Sequence, residues 1–279
     1  MTTLRYNPVD YLVVGHLTKD LTLSGPRLGG TAAYAALTAR ALGLRVGIVT
    51  AWAGDLDASP LAGIPLAGPP SEVTTTFENR ETPQGRQQTL HALAPSLALY
   101  HTPEPWRRAP IAHIGPVAQE VEPNVLPGLH ASLLGITPQG WLRQWDAQGQ
   151  VHPGEWPEGS VVLRQAHAAV LSIEDLGGHE ERIPELASAC RVLVITRGAQ
   201  GADLYWQGEV HHFDAPQVPE RDATGAGDIF AAAFFVRLYQ TRDPLEAARF
   251  ATLLAADSVT RVGLDGVPSM ERIFTLLRH

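Results

Sequence analysis

Six short apolar runs recur along the first two-thirds of the chain: YLVVG (11–15), RVGIVT (45–50), IAHIG (111–115), LLGIT (133–137), AAVLSI (168–173) and RVLVIT (191–196). They lack the polar alternation of a strand with one wet face, and several carry adjacent β-branched residues, as expected of strands covered on both sides. Helical patterns lie between some of them. Thr31 to Leu42 is Ala-rich and stops at Gly43, and Glu180 to Cys190 is a second candidate. This alternation predicts a parallel α/β sheet with right-handed crossovers. The last third differs. ADLYWQGEVHHF (202–213) predicts a hairpin turning at Gln207-Gly208, followed by helices near 225–240, 244–262 and 269–278.

Two stretches break the alternation. Ser71 to Leu99 mixes Thr, Phe and polar residues around a Pro-Gln-Gly turn and predicts an antiparallel hairpin protruding from the core. KDLTLSGPRLGG (19–30) leaves the first strand without helical periodicity. Together they predict a small β flap over the C-terminal edge of the sheet, where ligands of open α/β sheets bind; a pair of surface loops is the alternative. The strands at 73–79 and 87–93 offer edges at which two chains can pair into a homodimer. With no repeat, low-complexity tract or linker, residues 1–279 read as a single domain with lid segments near 19–30 and 71–99.

Composition removes several function classes. A formal net charge of −8 over 279 residues argues against nucleic acid or an anionic membrane as partner. The single cysteine, Cys190, allows no internal disulfide and no thiolate metal cluster. The N-terminal apolar run breaks at Gly15-His16, too short for a signal peptide or a membrane span, so the cytoplasm is the expected location. Of the 21 lysines and arginines, Lys19 in GHLTKD is the one lysine. That context is neither a Walker loop nor the early strand lysine of protein kinases. GHLTKD also replaces the G-x-G-x-x-G expected of a nicotinamide-dependent oxidoreductase. The histidines are scattered and no G-x-S-x-G occurs, which argues against metal-hydrolase and serine-triad chemistry.

RDATGAGDIFAAAF (221–234) carries the clearest chemistry. Small residues at a helix N-terminus leave N–H groups bare beside the positive end of the helix dipole, which attracts anions. Asp228 places a carboxylate in the same turn. Phosphoryl transfer reconciles the two: the N–H groups of Gly225, Ala226 and Gly227 hold the phosphoryl charge while Asp228 accepts the proton of the attacking hydroxyl. The helix-terminal N–H groups are expected to keep Asp228 ionised. A plain helix cap is the alternative.

DATGAGDIFAAAF resembles the C-terminal signature of the PfkB/ribokinase family of carbohydrate and nucleoside kinases. VVGHLTKD followed by GGTAAYAALTARALG resembles its N-terminal signature, VITRGAQGADLY its nucleotide-side T-x-G-x-x-G turn, and SVTRVGLDGVPSMERI its ending. The resemblance covers nearly the whole chain in the family's order. It implies a ribokinase-like α/β fold, a central mostly parallel sheet flanked by helices with a small β lid. It also implies an ATP- and Mg²⁺-dependent kinase acting on a sugar, a polyol or a nucleoside. By position, Asp228 is then the catalytic base and Gly225, Ala226 and Gly227 the anion hole. Thr196, Gly198 and Gly201 lie along the nucleotide, with Arg197 reaching its phosphates.

On the acceptor side the resemblance gives Asp20 two substrate hydroxyls, with Gly29 and Gly30 allowing close approach. Asp20 as a loop residue paired with Lys19 is the alternative. His16, Gln88 and Asn79 are further candidates for the substrate. Asp222 and Thr224 take positions that in many members help hold a monovalent cation, potassium for example. The family's N-x-x-E, which positions hydrated Mg²⁺, is replaced: LSIEDL puts Ser172 and Asp175 there with Glu174 adjacent. Asp175 and Glu174 can still serve through water; the alternative is that Ser172 caps a helix whose dipole Glu174 and Asp175 complement. A non-catalytic sugar- or nucleotide-binding protein on this fold is the remaining rival, and the intact Gly-Ala-Gly-Asp turn speaks against it.

Overall fold

A computed structural model describes residues 6–82 and 85–277. The chain begins with β1 (Tyr11–Val14), β2 (Thr18–Thr22), β3 (Gly25–Gly29), α1 (Thr31–Ala41), β4 (Val46–Val49) and β5 (Leu66–Ala67). It continues through β6 (Thr75–Thr82), β7 (Gly85–Ala92), β8 (Ile111–Ile114), β9 (Leu133–Ile136), β10 (Arg143–Trp145) and β11 (Val151–Pro153). Then follow α2 (Gly159–Leu163), β12 (Ala168–Ser172), α3 (Ile183–Ala189), β13 (Val192–Thr196), β14 (Ala202–Trp206) and β15 (Glu209–Phe213). Three helices close the fold: α4 (Ala226–Thr241), α5 (Pro244–Ser258) and α6 (Met270–Leu276).

Among the described residues the main sheet has the order β15-β14-β13-β12-β9-β8-β1-β4-β5. All six apolar runs of the sequence are strands in it, and they pair in parallel. Both faces are covered. Tyr11 and Val13 join one core with α1, α4 and α5, whereas Leu12 and Val14 join a second core with Trp106, Ile183 and Leu186. Successive side chains of a strand point to opposite faces, so a doubly covered strand has to be apolar at every position. At the far edge β14 and β15 form the expected hairpin, with Gln207 (φ 54°) and Gly208 (φ 83°) both left-handed, which matches the strand twist. No helix among the described residues is long and apolar enough to cross a membrane.

A second sheet has the order β3-β2-β6-β7 and is built from the two stretches that broke the alternation. Pro83 and Gln84 of the expected hairpin turn lie outside the described residues. The edges differ from expectation. β6 is internal, between β2 and β7, and the outer side of β7 is met by the β10–β11 hairpin. Leu90 N–H donates to the Gly149 carbonyl (2.8 Å) and Gln150 Nε2 to the Gln88 carbonyl (2.8 Å). The edges at 73–79 and 87–93 are therefore engaged within the chain, because unpaired strand groups find their nearest partner in the Asp146–Gln150 turn.

Candidate active site

Between this small sheet, the N-terminus of α4 and the carboxyl ends of β9, β12 and β13 lies a cavity of about 510 Å³. Of the residues singled out from the sequence, Asp20, Gly30, Asn79 and Gln88 line it from the small-sheet side. Glu174, Asp175, Thr196, Gly198 and Gly201 line it from the main sheet, and Thr224 to Asp228 close it from α4. Positions far apart in sequence thus share one space.

Asp228 stands where two helix N-termini meet. Thr31, the first residue of α1, donates its hydroxyl to Asp228 Oδ1 at 2.7 Å. The turn before α4 is shaped by Gly225, left-handed at φ 81° and without a side-chain cap on the helix. A Cβ at position 225 would lie 2.3 Å from the Tyr34 ring, so both backbone angle and space require glycine there. The helical ladder starts with Ile229 N–H on the Gly225 carbonyl (2.9 Å). The donors an α-helix leaves outside its ladder are then those of Ala226, Gly227 and Asp228. Ala226 N–H already turns back to the Ala223 carbonyl at 3.2 Å.

Burial works against the ionisation that the helix-terminal N–H groups were expected to favour at Asp228. Burial pushes its carboxyl up from the ordinary 3.8 to about 6, against the lowering effects of the Thr31 hydroxyl and the Arg143 charge. Asp175 and Asp20 raise it further. Desolvation outweighs the donors because it acts on the whole carboxylate. The group still ionises below neutral pH, which suits a proton acceptor.

On the acceptor side, Asp20 takes the Thr18 hydroxyl on Oδ1 (2.9 Å). Lys19 pairs with Asp55 and not with Asp20. Gly29 lies behind Asp20: a Cβ there would come 2.2 Å from Asp20 Oδ2. Gln88 donates to Asn79 Oδ1 at 2.8 Å, fixing two amides on neighbouring strands. His16 does not line the cavity. It is fully buried, with Nε2 on the Pro95 carbonyl (3.0 Å) and Nδ1 on the Thr75 hydroxyl (2.7 Å). Both ring nitrogens are used in joining the end of β1 to the small sheet, so His16 is a satisfied framework residue and not a contact of the cavity.

On the other side Thr196, Gly198 and Gly201 face the cavity, but Arg197 does not. Its guanidinium is held by Glu180 and Asp203, each at 2.6 Å. Two carboxylates within reach outcompete a role toward the cavity in this arrangement. Asp222 holds the turn before α4: its Oδ1 accepts from Thr224 N–H and its Oδ2 from Gly263 N–H, both at 2.9 Å. Asp175 accepts from Ser172 N–H (2.8 Å) and Gln139 (3.2 Å), and burial raises its carboxyl. Among the described residues no group of three or more His, Cys, Asp or Glu could hold a metal ion by itself.

Three cavity residues had no signal in the sequence. Thr31 and Tyr34 sit on the first turn of a helix that reads as buried alanine packing. Arg143 follows β9 at the start of the β10–β11 hairpin, whose only sequence mark is the WDAQGQ turn.

The family model described as "pfkB family carbohydrate kinase" matches residues 166–270, the span that carries Asp175, the 196–201 turn and Asp228. Over that span the chain is similar to this family. The description names carbohydrate kinases. The chain is 28% identical over 285 residues to an inositol 3-kinase of Oryza sativa subsp. japonica, spanning 92% of this chain and 70% of that one. The likeness in fold extends over most of the molecule. An Arabidopsis thaliana ribokinase complexed with ribose and ATP superposes with a TM-score of 0.69 at 18% identity, covering 98% of this chain and 100% of that one. A pyrophosphate-dependent kinase of the ribokinase family, complexed with a pyrophosphate analogue and myo-inositol, gives 0.74 at 20% identity over 89% and 94%.

Proposed function

We propose that this protein transfers the γ-phosphoryl group of ATP to a hydroxyl of a sugar or polyol, with Asp228 as general base. The observation that carries the reading is the place of Asp228. A carboxyl titrating near 6, at the junction of two helix N-termini, shares one cavity with the diol-binding candidate Asp20. In the step proposed, the acceptor oxygen bonds to phosphorus and the bond to the bridging oxygen of the donor breaks. The electron pair leaves on the β-phosphate of ADP, and the hydroxyl proton passes to Asp228. Backbone donors at Gly227 and Asp228 face the phosphoryl oxygens, worth about 10²-fold or more in rate each when oriented.

Two further features support the substrates. Pro216, Val218, Ala223, Ala256 and Val259 line one end of the cavity with apolar surface, which suits a purine base and favours ATP over pyrophosphate as donor. At the other end Asp20, Asn79 and Gln88 offer acceptors and donors to a ring of hydroxyls, in keeping with the similarity to an inositol 3-kinase. The residues present fit Mg²⁺. Asp175 and Glu174 supply oxygen donors beside the donor end, and burial of Asp175 favours a nearby positive charge. They would hold the hydrated ion, which when bound offsets the charge of the donor phosphates.

A coupled ADP-release screen over inositols, hexoses, pentoses and nucleosides, with ATP and Mg²⁺, tests the reading. Turnover with a polyol or sugar is expected. Turnover confined to nucleosides would move the acceptor class, and turnover only with pyrophosphate in a parallel phosphate-release arm would overturn the donor. Exchanging potassium for sodium in the same screen tests the monovalent cation proposed beside Asp222 and Thr224.

A further inference from the structure

One guanidinium faces a cavity otherwise charged by acids. Asp20, Glu174, Asp175, Glu220 and Asp228 all line it, and among the described lining residues Arg143 is the one arginine or lysine. Its side chain is held on two sides. Nη1 donates to the Val117 carbonyl at 2.8 Å, and the guanidinium carbon lies 5.4 Å from the centroid of the Phe77 ring. The anchor is itself fixed, because the N–H groups of Val117 and Ala118 donate to the buried Glu120 carboxylate. Phe77 packs with Leu90, Val117 and Ala118 in a small core that ties β6 and β7 to this loop. Most surface arginines lose rotamer freedom when they engage a ligand. Here part of that ordering is already done by the fold. The charge of Arg143 is also felt at the buried carboxyl of Asp228, which it draws downward.

We propose that Arg143 is a catalytic residue, its guanidinium contacting the phosphoryl group as that group passes from the donor to the acceptor oxygen. The inference rests on the kinase reading above and adds to it a positively charged side chain at the phosphoryl group. As the new P–O bond forms and the bond to the donor breaks, negative charge spreads over three equatorial phosphoryl oxygens. A planar fork of N–H donors matches two such oxygens at once, which an ammonium cannot do. The single lysine of the chain is committed to Asp55 outside the cavity, so among the described side chains lining the cavity Arg143 is the arginine or lysine that can meet this charge, beside the backbone N–H groups and the proposed Mg²⁺.

The test is a steady-state comparison of wild type, R143Q and R143K, as the full chain with ATP, Mg²⁺ and the best acceptor of the screen, between pH 5 and pH 9. Several groups bear on Asp228 and must be kept in view: Thr31 and Tyr34 of α1, Tyr11 of β1, Asp20 of β2 and Asp175 after β12. R143Q is expected to lower kcat about 10²-fold while the KM for ATP changes little, as for loss of an oriented transition-state donor. The acidic limb of kcat/KM should move to higher pH in R143Q, since one positive charge no longer lowers Asp228. R143K should keep the limb in place and lose about tenfold, because charge remains and the fork is gone. Thermal melts establish that both variants are folded, and R143K retains the stem and charge that hold the loop. A folded R143Q with near-normal kcat, or a loss confined to the acceptor KM with an unmoved limb, would overturn the assignment. A wild type inactive with every donor and acceptor pair overturns the kinase reading itself, and the assignment falls with it.

Discussion

The Thr31 hydroxyl donates to Asp228 Oδ1 at 2.7 Å, joining the first residue of α1 to the first turn of α4 across 197 positions of sequence. The contact orients the carboxyl and lowers its proton affinity, yet burial wins and leaves the group near 6. Turnover should therefore fall as the pH drops through about 6. D228N should bind nucleotide and lose about 10²- to 10⁴-fold in kcat. Nucleotide binding followed by fluorescence together with coupled turnover checks both halves, and a D228N variant with near-normal kcat would refute the role.

The same shift has a consequence for stability. The folded carboxyl titrates above the ordinary 3.8, so the folded state binds the proton more tightly than the unfolded chain does. Its contribution is present at low pH and lost as the pH rises through about 6. D228N removes the buried charge and should melt above wild type at pH 8, by about 1–2 kcal/mol, with the difference shrinking below pH 5. Calorimetry at the two pH values tests this; a D228N variant less stable than wild type at pH 8 would contradict it.

Two glycines of one turn should respond differently. Gly225→Ala meets the Tyr34 ring and a left-handed backbone, and should cost at least about 2 kcal/mol of stability along with most activity. A Cβ at Gly227 meets no neighbouring heavy atom within 4 Å. Gly227→Ala should melt within a degree or two of wild type, or slightly higher, while the KM for ATP rises about tenfold, because the methyl group stands where phosphate approaches. Melting curves and donor KM values for the pair separate a glycine kept for the fold from one kept for a ligand.

His16 and Glu120 should behave as framework. Glu120 accepts from the N–H groups of His16, Val117 and Ala118 at 2.7–3.0 Å. Glu120→Gln turns an amide donor toward these donors and should destabilise by about 2–3 kcal/mol. Because Val117 anchors Arg143, kcat should fall as well. His16→Ala should lose about 2 kcal/mol through two broken buried hydrogen bonds, with the acceptor preference unchanged. Urea unfolding and the acceptor panel test both; an altered acceptor order in the His16 variant would return it to the site.

The β10–β11 hairpin should govern acceptor binding from outside the small sheet. Gly149 sits at φ 80°, and a Cβ there would lie 2.3 Å from the Leu90 carbonyl that faces it. Gly149→Ala should loosen the hairpin from β7 and raise the acceptor KM severalfold, leaving the ATP KM alone. Equal effects on both KM values would show that the hairpin does not act on the acceptor end.

The sequence determined the strands of the main sheet, because burial on both faces demands unbroken apolar runs such as YLVVG and RVLVIT. It also determined the turn at 222–228, since small residues and a carboxylate at a helix start have few other uses. Its two irregular stretches marked the small sheet, though not its order. Only the tertiary structure decided which polar residues reach the cavity. His16 and Arg197 lie at suggestive positions in the sequence, but Thr75 with Pro95, and Glu180 with Asp203, sit close enough in space to hold them elsewhere. Arg143 and Thr31 came the opposite way, from unmarked positions into the centre. Hydrophobic periodicity is local and survives in one dimension. Hydrogen-bond partners and desolvation depend on neighbours that the pattern along the chain does not reveal, from 6 positions away for Arg197 and Asp203 to 197 for Thr31 and Asp228, so the proton affinity of Asp228 and the neighbours of Arg143 exist only once the chain is folded.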